Sequence, residues 1–214
     1  MSDDLRTFAV GYSGGSGIAY GLRLVELLLR VGHRVELAAT SAAGRVLRHE
    51  ALVPEAHARD LAGLFAPELR ARLRVHDIAA VEAAPASGSA AIAATILCPC
   101  SMGTLARVAH GFSSNLVERM ADVALKEKRT LVVVPRETPL SVIHLRNMLL
   151  LAEAGAIVLP AMPGFYHRPQ TVAELVDFVV AKILDRVGVA HEVGKRVKTP
   201  PPPPTSPWLE GEEG

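Results

Sequence analysis

At 214 residues the chain has room for one α/β domain with a core of useful size. Its formal net charge of +1 carries no electrostatic footprint for nucleic acid or an anionic membrane surface. Hydrophobic residues make up 50% but aromatics only 4%, so the apolar mass is aliphatic; that favours a buried parallel sheet and, because a surface of this size cannot hide so much apolar area alone, contacts between subunits.

The opening MSDDLRTF does not read as a signal peptide, and no apolar run reaches transmembrane length. Thr7 to Tyr12 reads as a first strand, Gly17 to Val31 as a helix ended by Gly32, and Arg34 to Thr40 as a second strand. Ala42 to Glu50 and His57 to Leu73 read as helices, the second amphipathic and rich in Leu, Ala and Arg. AAPASGSA breaks the pattern before a fully apolar third strand, Ile92 to Cys98. SMGTLARVAHG starts one helix and SSNLVERMADVALKEK forms another, with Ser114 as its N-cap. Thr130 to Val134 is a fourth strand, Thr138-Pro139 opens a helix that Gly155 closes, and Ala156 to Leu159 is a short fifth strand. After the proline-rich loop PAMPGFYHRP, Thr171 and Glu174 make a capping box for a last helix reaching about Val187. Residues 1–190 are thus read as one α/β domain and 191–214 as a proline-rich tail, a polyproline II segment with Trp208 as its natural anchor.

Alternating strands and helices predict a doubly wound, mainly parallel sheet with helices on both faces. Ligands of such sheets lie beyond the carboxyl ends of the strands. The segments following the strands, SGGSG, TSAA, PCSMGT, PRETP and PGFYHRP, are therefore read together. Small hydroxyl residues and helix N-termini there suit a phosphate, and one phosphate site beside an apolar wall suits a mononucleotide such as FMN. Three glycine motifs bear on VGYSGGSGIAYG. It lacks the lysine of a P-loop, and its glycines fail the dinucleotide spacing. Gly11-Tyr12-Ser13-Gly14-Gly15 does match a G-x-S-x-G nucleophile elbow, although it follows the first strand rather than a later one.

The segments PCSMGTLARVAHG, ADVALKEKRTLVVVPRETPL and GAIVLPAMPGFYHRPQ closely resemble the UbiX family of flavin prenyltransferases, older members of which were described as aromatic acid decarboxylases. SGGSGIAYGLRL resembles that family's glycine loop and PASGS its mobile Ser/Gly segment, so the resemblance covers roughly Phe8 to Val189. It implies a Rossmann-like flavoprotein that transfers a dimethylallyl group from dimethylallyl monophosphate to N5 and C6 of reduced FMN, for use by a UbiD-type decarboxylase. It also implies a homo-oligomer, a dodecamer; separately, having only the two cysteines Cys98 and Cys100 fits a reduced cytoplasmic compartment, and the lack of a D-D-x-x-D cluster fits transfer without a metal. On that resemblance Gly14, Gly15, Ser16, Thr40, Ser101, Met102, Gly103, Thr104 and Arg136 are the FMN contacts. Ser16, Glu50 and Glu137 are the catalytic candidates, while Lys126, Glu137, Tyr166 and Lys182 surround the prenyl phosphate. Lys182 is a departure, since the family pattern has arginine there.

The chemistry calls for these residue types. A monophosphate leaves badly, so cationic and hydroxyl groups such as Lys126, Tyr166 and Lys182 must gather on the departing dianion. Glu137 can protonate the leaving oxygen, and ring closure at C6 must lose a proton, which Ser16 can relay to Glu50 or Glu137. Rival readings are a non-catalytic FMN carrier and a related flavoprotein that decarboxylates a peptidyl cysteine, although that class's asparagine is missing from PASGS; with the opening stretch resembling a flavin-binding loop, the G-x-S-x-G match is a coincidence of a glycine-rich turn and the hydrolase reading ranks last. His110, His144 and His167 lie on separate segments without paired ligand spacing, and Cys98 with Cys100 read as a buried strand end.

Overall fold

A computed structural model of the chain describes residues 5–50 and 60–194. Its elements in chain order are β1 (Thr7–Tyr12), α1 (Ile18–Arg30), β2 (Arg34–Ala39), α2 (Ser41–Glu50), β3 (Leu73–His76), β4 (Ile92–Cys100), α3 (Met102–Ala109), α4 (Leu116–Lys126), β5 (Thr130–Pro135), α5 (Val142–Glu153), β6 (Ile157–Val158) and α6 (Val172–Arg186). The strands form one sheet in the order β3-β2-β1-β4-β5-β6, and every pairing is parallel. The doubly wound α/β architecture follows from the apolar runs of β1, β4 and β5, which are buried on both faces as strands of a covered parallel sheet must be.

Alternate side chains of β1 feed two cores. Phe8, Val10 and Tyr12 pack with Leu24 and Leu28 of α1 and Ile183 and Leu184 of α6. On the other face Ala9 joins Leu105 of α3, Val117 and Met120 of α4 and Leu151 of α5. From β1 the sheet winds outward through β2 to β3, then reverses to β4 on the other side. That reversal opens a crevice beyond the carboxyl ends of β1 and β4. Among the described residues no helix is long and apolar enough to cross a membrane.

Three elements differ from expectation. The helix read over His57 to Leu73 is absent from 60–73; two short 3₁₀ turns, Ala62–Leu64 and Pro67–Arg72, stand there and lead into edge strand β3. Pro67 interrupts the helical run, and His76 at the end of β3 bonds to Glu36 on β2. Helix α4 is capped by Asn115, whose Oδ1 accepts the Glu118 amide at 3.1 Å, while Ser114 Oγ accepts Arg107 at 2.9 Å. Helix α5 starts after Ser141 rather than at Thr138-Pro139, because Ser141 and His144 form a reciprocal capping box. Residues 57–59 and the segment from 195 onward, with its proline run and Trp208, lie outside the described residues.

Candidate active site

Ser13 locks the crevice together. It is fully buried; its Oγ donates to the Pro99 carbonyl at 3.1 Å and accepts the Ser101 amide at 2.7 Å. The end of β1 is thereby tied to the end of β4. A hydroxyl sealed from solvent and committed at both its proton and a lone pair cannot attack a substrate, which agrees with the G-x-S-x-G match being a coincidence of a glycine-rich turn. Gly15 sits against the same junction, where a Cβ would lie 3.3 Å from the Cys100 carbonyl group and the Ser101 nitrogen. Gly14 faces Ala42 of α2.

Ser101, now fixed, caps α3. Its Oγ accepts the Thr104 amide at 3.3 Å and donates to Thr104 Oγ1 at 3.1 Å. Met102 and Gly103 form the first turn, where the helix N-terminus favours an anion. Thr40, after β2, caps α2 in the same way by accepting the Ala43 amide at 3.2 Å. Cys98 and Cys100 are buried, and desolvation raises the Cys98 thiol and pushes the Cys100 thiol up to about 12, so neither is a thiolate near neutral pH.

Glu50, at the end of α2, meets the glycine loop. Its Oε2 accepts the Gly17 amide at 2.8 Å and the Ile18 amide at 3.0 Å, which places a carboxylate on the amino end of α1. Burial alone would raise this carboxyl. Hydrogen bonds from the Ser16 hydroxyl and the two amides outweigh it, Arg136 adds its charge, and the carboxyl is held below its ordinary value. Arg136, following β5, is half-buried, and its Nε is closed off from solvent with no hydrogen-bond partner among the described residues. Tyr20 of α1 is also within electrostatic reach: burial and Cys98 raise its phenol while Arg136 opposes them. Glu137 accepts its neighbour Thr138's amide at 3.1 Å and lines, with Arg136, Leu140, Met148, Pro160 and Met162, a cleft of about 280 Å³.

The crevice thus gathers Gly14, Gly15, Ser16, Thr40, Glu50, Ser101, Met102, Gly103, Thr104, Arg136 and Glu137, all carried by segments that follow β1, β2, β4 and β5. Tyr166 and Lys182 form a second group about Phe178, with Tyr166 edge-on to the ring at 5.6 Å and Lys182 Nζ 5.8 Å from its centroid. Lys126 ends α4 four residues before β5 begins, so it lies at the amino edge of the sheet, opposite the crevice. There it pairs with Glu127, beside Ser87 and Gly88, whose carbonyls accept from Arg129. One chain does not bring Lys126 to the crevice. Ser13, to which the sequence assigns no role in the site, is the residue that joins the loops after β1 and β4. The tempting histidines are accounted for separately: His110 bonds Asn147, His144 completes the α5 capping box, and His167 stacks on Phe178.

An arginine donor buried without a partner, next to a helix N-terminus lined with hydroxyls, fits an anionic cofactor such as FMN. Residues 2–184 match the family model described as Flavoprotein. A flavin prenyltransferase UbiX from Alkalihalophilus pseudofirmus is 48% identical over 191 residues, spanning 89% of this chain and 96% of that protein. The crystal structure of AnUbiX (PadA1) in complex with FMN and dimethylallyl pyrophosphate superposes with a TM-score of 0.78 at 36% identity, covering 86% of this chain and 93% of that one. A dodecameric FMN-dependent UbiX-like decarboxylase from Escherichia coli O157:H7 gives 0.78 at 39% identity, covering 86% and 96%.

Proposed function

The chain belongs to the UbiX family of flavin prenyltransferases, and from that premise we propose that it transfers a dimethylallyl group from dimethylallyl monophosphate to N5 and C6 of FMN held in the β1–β4 crevice. The observation that carries the residue assignment is Arg136 Nε, buried and without a hydrogen-bond partner among the described residues, within electrostatic reach of Glu50. When bound, reduced FMN supplies the nucleophilic positions. Arg136 and the first turn of α3, with Ser101 and Thr104, hold its phosphate and ribityl end; Gly14, Gly15 and Thr40 admit the ring system.

The charge state of Glu50 sets the direction of proton flow. A carboxyl held below its ordinary value is ionised near neutral pH, so Glu50 is an acceptor. The Ser16 hydroxyl is among the groups that lower Glu50, so a proton reaching the Ser16 oxygen has an ionised group within reach. Glu137, in the cleft beside Arg136, is the group left to protonate the departing phosphate oxygen. Tyr166 and Lys182 grip that phosphate from one side. Lys126, at the opposite edge of its own sheet, reaches it from another copy of the chain.

The surface supports assembly. Val142, Ile143, Leu145 and Leu149 of α5 are all at least half exposed, and Phe165 is 68% exposed. Apolar area of this kind marks an interface, and the E. coli relative is described as dodecameric. A pure carrier of FMN has no use for a second phosphate site. The product's consumer is a UbiD-type decarboxylase. Incubation with reduced FMN and dimethylallyl monophosphate, followed by mass analysis of the bound flavin, tests the reading; unmodified flavin would refute it.

A further inference from the structure

Tyr166 is 67% exposed, yet it is not free to turn. Its ring stands edge-on to His167 at 5.7 Å and to Phe178 at 5.6 Å, while His167 lies flat on Phe178 at 5.1 Å with 2° between the planes. The three rings close a triangle. Gly164 makes room for it, since a Cβ there would fall 2.8 Å from Tyr166 Cε1 and 3.0 Å from Phe178 Cζ. Lys182 Nζ lies 5.8 Å from the centroid of Phe178, and all four side chains line a groove of about 910 Å³.

Within this triangle the His167 Nδ1 is closed off from solvent and has no hydrogen-bond partner among the described residues. A buried polar atom without a partner costs stability where it stands. What His167 offers is its flat ring, stacked on the phenyl of α6 and in edge contact with the exposed tyrosine.

We propose that His167 and Phe178 are positioning residues that fix the Tyr166 ring, and hence its hydroxyl, beside Lys182 for the prenyl phosphate. The inference rests on the reading of Tyr166 as a ligand of that phosphate. An exposed tyrosine that must find its orientation on each encounter loses rotamer freedom on binding; one already held by two rings does not.

A double-mutant cycle tests it, read as binding of dimethylallyl monophosphate to the FMN-loaded protein by calorimetry. Tyr166→Phe and His167→Ala are each expected to weaken binding about tenfold, the scale of one hydrogen bond to a charged group. Together they should cost no more than either alone, because both remove the same contact. His167→Phe keeps the ring and discards the stranded nitrogen; it should bind within about threefold of the parent and melt no lower, since an apolar replacement of the same shape removes an unsatisfied group. FMN affinity should be unchanged throughout. Additive losses, or a His167→Phe variant as weak as His167→Ala, would overturn the inference, the latter by making the nitrogen itself the contact. So would Tyr166→Phe at parental affinity. If His167→Ala does not fold, Phe178→Leu strips the stack from its other side and carries the same expectation. The readout is binding, so a parent protein that binds the donor but yields no prenylated flavin contradicts the proposed function and leaves the positioning result standing.

Discussion

The Glu50 carboxylate, at the last residue of α2, closes the first turn of α1 by accepting the Gly17 and Ile18 amides at 2.8 and 3.0 Å. One side chain therefore anchors the glycine loop and faces Ser16. Glu50→Gln retains the shape and removes the charge. The expected result is a fall of about a hundredfold in the rate of flavin prenylation, typical of a lost proton acceptor, with a stability loss of only about 0.5–1 kcal/mol from the helix dipole. Single-turnover kinetics and urea denaturation separate the two. A large stability loss with an unaltered rate would make Glu50 a purely structural cap.

Glu118 is a buried carboxylate whose titration is expected to contribute to acid stability. It is 2% exposed and accepts Arg107 Nε at 2.6 Å and the Ser114 amide at 2.8 Å. Burial would raise it, but the Arg107 and Ser114 hydrogen bonds prevail and hold it below the ordinary carboxylate value of 4.5. A depressed carboxyl stabilises the fold fully above that ordinary value, and the contribution is lost as pH falls through the lower folded value. The parent should therefore outlast Glu118→Gln in urea by about 2 kcal/mol at pH 7, with the gap narrowing progressively below pH 4.5. A gap that stays constant down to pH 3 would show that charge plays no part.

Arg136→Lys keeps the positive charge but discards the fork and its stranded Nε. FMN affinity should drop about tenfold, or about 1.4 kcal/mol, while the melting temperature stays within a few degrees. Flavin fluorescence titration measures the first and calorimetry the second. An undiminished FMN affinity would move the phosphate elsewhere.

Lys182→Arg tests the cation proposed to hold the prenyl phosphate beside Tyr166. Supplying a bidentate fork should lower the Michaelis constant for dimethylallyl monophosphate about fivefold, roughly 1 kcal/mol, with little change in turnover. Lys182→Ala should raise it. A constant equal to the parent's in the alanine variant would remove Lys182 from the site.

Leu149→Asp places a charge on the exposed apolar face of α5, where Leu149 is 57% exposed. Light scattering should then report smaller particles than the parent, and prenylation should fail with FMN binding largely retained, because Lys126 no longer reaches a neighbouring crevice. A variant that assembles normally would place the interface elsewhere.

Much of this was legible in the chain. The buried strands announced themselves because both faces are apolar, and the capping box of Thr171 and Glu174 fixed the start of α6. Edge strand β3 was hidden because Leu73-Arg74-Val75-His76 is half exposed and carries charge, so it lacks the apolar run of the inner strands. The start of α5 was misplaced because Thr138-Pro139 looks like a cap while Ser141 makes the bonds. Glu50 and Ser16 lie 34 residues apart, and nothing in their local pattern says that one caps the loop containing the other. Lys126 matched a family motif by position, but only the direction of α4 revealed that it points to the far edge of its own sheet. The Phe178 triangle depends on side-chain packing between a loop and a helix, which no spacing rule encodes.

The most direct measurement incubates the assembled protein anaerobically with reduced FMN and dimethylallyl monophosphate, and weighs the flavin released on denaturation. Transfer predicts a flavin heavier by one five-carbon unit, formed in step with phosphate release and absent when the prenyl donor is omitted. Flavin of unaltered mass, recovered from protein that demonstrably binds both FMN and the donor, would contradict it.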